Sequence, residues 1–175
     1  MWNDRSDCAK WLAVGLVVCT LACVRAVWGG PNAGGMLIVH DVGLLYTDGG
    51  GQPWPSDTPS CEGVDNELPT GVPPNGSGYV WKIYAAFPLS SSPRLKALCF
   101  GAAFPSSVTV VDGGLPDEMD FEVPMSGWPT WSGYGTMMSF LQVQTDHVVE
   151  CYWLAGYGDS GQWQLIGHPL QVTEF

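Results

Sequence analysis

The sequence predicts an all-β protein: an antiparallel β-sandwich of about nine strands behind an N-terminal signal peptide. Three observations carry that expectation. Short runs rich in Val, Ile, Leu, Tyr and Trp recur along the chain, and beyond residue 26 none holds a 3.6-residue period. Gly 23 and Pro 14 punctuate these runs with turns. Of the 175 residues, about 150 would remain after a leader, enough for one domain burying roughly 70% of its unfolded surface.

Residues 1–26 read as a signal peptide. Arg5 and Lys10 precede an apolar run over residues 11–24, which is short for a membrane span. Val24 and Ala26 offer the small residues of a cleavage site after Ala26. A lipoprotein with Cys23 lipidated, or an uncleaved anchor, is the alternative. Residues 27–35 form a flexible lead-in, and residues 36–175 a single domain. The sequence stops inside a strand-like run, which reads as truncation.

Strands are expected at residues 36–47, bent at Gly43, and at 79–87 and 95–104. The last two look like a hairpin broken by Pro88 and Pro93, at the centre of the core. Further strands fall at 107–111, 119–123, 137–144, 147–157, 162–166 and 170–175. Met119, Phe121 and Val123 alternate and should share a face. The expected core is Leu37, Val39, Val80, Ile83, Ala85, Leu98, Phe100, Phe121, Phe140, Val149, Tyr152 and Leu154. Residues 48–78 make a polar segment long enough to require a function, an ion or Cys61 to order it.

Composition excludes some partners. Net charge is −11, and past the leader only Lys82, Arg94 and Lys96 are basic. Three bases cannot neutralise a run of phosphates, so nucleic acid is not a partner. Anionic membrane surfaces are disfavoured once the signal is cleaved. Export would leave Cys61, Cys99 and Cys151 in an oxidising compartment. Cys99 and Cys151 lie in strand-like runs, as a buried disulfide pair or as two buried free thiols. Cys61 lies in a polar loop, free or bonded to another chain.

No stretch announces a reaction. GDSG at residues 158–161 matches part of a serine-protease signature, but Gln162 and Trp163 follow where Gly-Pro is required, and too little chain remains for a substrate pocket. His40, His147 and His168 have no ligand spacing. Two acidic groups, Asp57–Glu62–Asp65–Glu67 and Asp112–Asp117–Asp120, make calcium a possible cofactor, without EF-hand spacing. Trp54, Trp128 and Trp131 sit in loop-like segments beside prolines. Exposed, they would stack on sugar rings; buried, they would lid the sandwich.

The segments GMLIVHDVGLLYT, YAAFPLSSSPRLKALCFG, FEVPMSGWP, HVVECYWLAGY and HPLQ, in this order, resemble uncharacterised secreted bacterial β-rich proteins with strand–SSPRL–FG and YWFAGY-type signatures. The resemblance covers most of the chain after the leader. It implies export, a mostly β domain and more β sequence after HPLQ. It carries no activity and no site residues. The expected function is therefore a secreted, non-enzymatic structural or interaction domain, self-associating or part of a surface assembly. The alternative is a carbohydrate-binding module meeting a cell-surface glycan through the loop tryptophans.

Overall fold

Eight strands in two four-stranded antiparallel sheets stack face to face in the computed structural model, which describes residues 30–46, 78–117, 119–158 and 163–170. The strands are β1 (Met36–Tyr46), β2 (Gly78–Ala86), β3 (Leu95–Ala103), β4 (Val108–Gly114), β5 (Met119–Pro124), β6 (Tyr134–Gln144), β7 (Val148–Gly158) and β8 (Gln164–Ile166). Sheet A has the order β1-β2-β7-β4 and sheet B the order β5-β6-β3-β8. The predicted β-sandwich is the observed fold, with eight strands among the described residues against about nine expected. Most of the ninth, at 170–175, lies outside them, as do the leader, Cys23, Trp54, Cys61 and the 57–67 acidic group. No helix among the described residues is long and apolar enough to cross a membrane.

Alternation builds the core. Trp81, Ile83 and Ala85 of β2 face inward beside Val149, Cys151, Tyr152 and Leu154 of β7. Leu98, Phe100 and Ala102 of β3 meet them from sheet B with Met138 and Phe140 of β6. Leu37 and Val39 pack against this cluster from β1, partly buried.

The expected hairpin over residues 79–104 is instead a crossing between sheets. β2 lies in sheet A and β3 in sheet B. Residues 87–94 carry two prolines and span the roughly 10 Å between facing sheets. Thr145 and Asp146 likewise lead from sheet B to sheet A, not round a hairpin.

Phe121 corrects the core expectation, being 59% exposed. The register slips between Met119 and Phe121, because Met119 faces Phe140 and Phe121 faces Ser139. Asp120 is thus an extra residue, a β-bulge that inverts the alternation. Met119 stays inside, while Phe121 and Val123 turn outward and Glu122 turns inward. Val80 is buried, but it points to the outer face of sheet A and lies outside the inter-sheet cluster.

Candidate functional site

Three places concentrate chemistry, and the first lies between the sheets. The loop from β5 to β6 drives Trp128 into the core, where its ring meets Phe100 and Tyr152 at 5.6 Å between centroids. Trp128 Nε1 donates to the Tyr152 hydroxyl at 3.0 Å. That hydroxyl in turn donates to the inward-turned Glu122 carboxylate. Thr136 Oγ1 also donates to Glu122, at 2.8 Å. Burial, then the Glu122 charge, pushes the Tyr152 phenol upward. The group answers a rule of low-dielectric interiors, that buried polar atoms be satisfied. Tyr152 is 1% exposed, so no substrate reaches it.

The second place is the outer face of sheet A. Lys82 and Tyr84 alternate with the core-facing residues of β2, yet both are buried. Lys82 Nζ lies 2.8 Å from Glu150 Oε2 of the neighbouring strand. Tyr46 stacks on Trp153, with centroids 6.1 Å apart, and donates its hydroxyl proton to Asp112 at 2.6 Å. This face carries a buried ion pair and stacked aromatic rings.

The third is the outer face of sheet B. Phe121 and Val123 of β5 are exposed there, opposite Ser139 and Met137 of β6, while Leu141 and Val143, also exposed, lie farther along β6, past the partner of the first β5 residue. The register sets two rows across the sheet, Phe121–Ser139–Ala97 and Val123–Met137–Cys99. Lys96 borders the face and donates to the Phe140 and Leu141 carbonyls, the latter at 2.9 Å. The bulge at Asp120 creates this face, and periodicity alone could not reveal it.

The sequence-predicted site residues do not converge. Trp128 is a core residue, whereas Trp131 is 58% exposed, its ring edge-on to Tyr134. These two therefore do not form one sugar platform. Asp112 is held by Tyr46 and by the Gly113 amide, and Asp120 lies on the β5 bulge. Among the described residues, Asp112, Asp117 and Asp120 included, no group of three His, Cys, Asp or Glu side chains is placed to hold a metal. Cys99 and Cys151 are both free thiols, which removes the disulfide alternative and leaves the free-thiol one, with Cys151 buried and Cys99 half-buried. Cys151 faces the core from sheet A, and Cys99 lies on the outer face of sheet B. Burial pushes the Cys151 thiol up to about 12. The histidines lie apart: His40 beside Tyr84, His147 before β7, and His168 accepting from the Leu170 amide through Nδ1.

Set against known proteins, the chain matches no family model, no curated protein and no solved structure.

Proposed function

We propose that this chain is an exported, non-enzymatic β-sandwich interaction domain whose contact surface is the outer face of sheet B. The apolar patch of exposed Phe121 and Val123 on β5, with Met137 on β6 and Cys99 on β3 in the row of Val123, carries the reading. Single exposed apolar residues are ordinary, but a cluster on one sheet face is typical of contact surfaces. The closed Tyr152 group supports a structural role for the chain's tyrosine–carboxylate pair.

A photo-crosslinkable phenylalanine analogue at position 121, in cells producing the protein, tests this. Adducts from position 121, with none from the same analogue at exposed Val111 on sheet A, support the reading. No adduct from position 121 sinks it.

The exposure of Trp131 favours a second reading, carbohydrate binding through a single indole. A glycan screen read by tryptophan fluorescence separates the two. A response lost in Trp131→Ala and kept in Phe121→Lys selects the sugar.

A further inference from the structure

Resting on the reading of sheet B as a contact surface, we propose that its occupant is a second copy of this chain. The two sheets B pack face to face about a two-fold axis that runs along β6.

Charge restricts where two copies can meet. Each carries a net charge of −11, so most approaches juxtapose like charges. The outer rows of sheet B hold no ionisable carboxylate or base: Phe121, Ser139 and Ala97 in one, Val123, Met137 and Cys99 in the other. The charged side chains beside them are Lys96 on β3 and Asp120 on β5, on opposite flanks of β6 near the same end of the sheet. A two-fold axis along β6 carries β3 of one copy over β5 of the other. Lys96 then meets Asp120 of the second copy, twice.

Side-chain size follows the same symmetry. Phe121 of one copy lies over Ala97 of the other, and Val123 lies over Cys99. Ser139 and Met137 meet their own equivalents on the axis. Phe121, the largest of these side chains, thus faces alanine, the smallest, and Val123 faces the smaller Cys99, as interdigitating sheet faces favour.

Edge pairing is the rival geometry, and the edges oppose it. The register of β1 shifts between Asp41 and Leu45, that of β4 between Val110 and Asp112, and that of β5 between Met119 and Phe121. β5 also ends in Pro124, and β8 is three residues long. Bulges, prolines and short strands all blunt an edge against pairing.

A thiol–thiol crosslink tests the arrangement. Facing positions on two packed sheets lie about 10 Å apart, beyond a disulfide but within reach of a short bis-maleimide. Across the proposed axis positions 99 and 123 face one another. The full-length Val123→Cys variant, treated with that reagent as a mixture of isotope-labelled and unlabelled copies, should form a covalent dimer, and peptide mapping should join position 99 of one copy to position 123 of the other. Val111→Cys should not form this link. By sedimentation velocity the unmodified chain should show a concentration-dependent dimer, weakened at least tenfold by Phe121→Lys, with circular dichroism unchanged. A chain monomeric at every concentration overturns the proposal. So does a dimer indifferent to Phe121→Lys, or joined only through 99–99 or 123–123 links. Adducts from position 121 to a different protein, with a monomeric chain, would leave the contact surface standing and remove the second copy from it.

Discussion

The outer faces of the two sheets have exchanged the chemistry that a sandwich ordinarily gives them. On sheet A the outward residues of β2 and β7 include a lysine, a glutamate, a tyrosine and a tryptophan, and Lys82, Tyr84 and Trp153 are buried. On sheet B the outward residues include Phe121, Leu141 and Val143, and these are exposed. An outward-facing polar residue is therefore not a surface residue in this fold, nor an aromatic one a core residue. Register and coverage decide instead. A bulge placed Phe121 outside, and burial made the Lys82–Glu150 pair an interior feature.

The sharpest way to break this contrast is to remove one partner of the buried pair. Lys82→Ala should cost about 3–5 kcal/mol, because it takes the neutralising cation away from a carboxylate in a poorly solvated site. Urea denaturation measures it, and a loss under about 1 kcal/mol would mean that the face is hydrated. Lys82→Met with Glu150→Leu should recover most of the loss, since an apolar pair removes the desolvation penalty.

Alkaline pH probes the interior shared by both sheets. The Cys151 thiol has an ordinary value of 9.0 and is raised to about 12 by burial. Above pH 9 the unfolded chain loses this proton while the folded chain keeps it, so stability falls as pH rises. The stability is complete below pH 9 and declines through pH 12, by up to roughly 4 kcal/mol at about 1.4 kcal/mol per unit. The raised Tyr152 phenol acts in the same direction above 10. Cys151→Ala should flatten the 9–12 slope in denaturation curves taken across that range; an unchanged slope would contradict the burial of this thiol.

A smaller effect is expected at the loop that plugs the sandwich. Trp128→Phe keeps a ring against Phe100 but removes the donor to Tyr152. It should cost about 1–2 kcal/mol by thermal or urea unfolding. The least is expected on sheet B's outer face, where Phe121→Lys should change monomer stability by under about 0.5 kcal/mol. A core position such as Phe100→Ala should cost about 3–5 kcal/mol in the same assay.

Much of the fold was legible in the sequence, because a period of two and the turn residues are local signals. They located β1, β2, β3 and β7 closely and named Ile83, Leu98, Phe100, Phe140 and Leu154 as core. Partner choice was not legible. The 87–94 connection reads as a hairpin loop, but only the facing sheet determines that it crosses. The bulge at Asp120 left no signature in its alternating sequence, and it reversed the roles of Phe121 and Glu122. Trp128 read as a loop indole that could stack on sugars or lid the sandwich, and its place in the core was not legible because its acceptor, the Tyr152 hydroxyl, lies 24 residues away. Long-range pairs of this kind built the polar interior, and none has a local pattern.

Hydroxyl-radical footprinting of the dilute full chain tests the contrast between the two outer faces most directly. The account predicts rapid modification of Phe121 and Leu141, with Tyr84 and Trp153 protected. Rapid modification of Tyr84 and Trp153, with Phe121 protected at the same dilution, would contradict it.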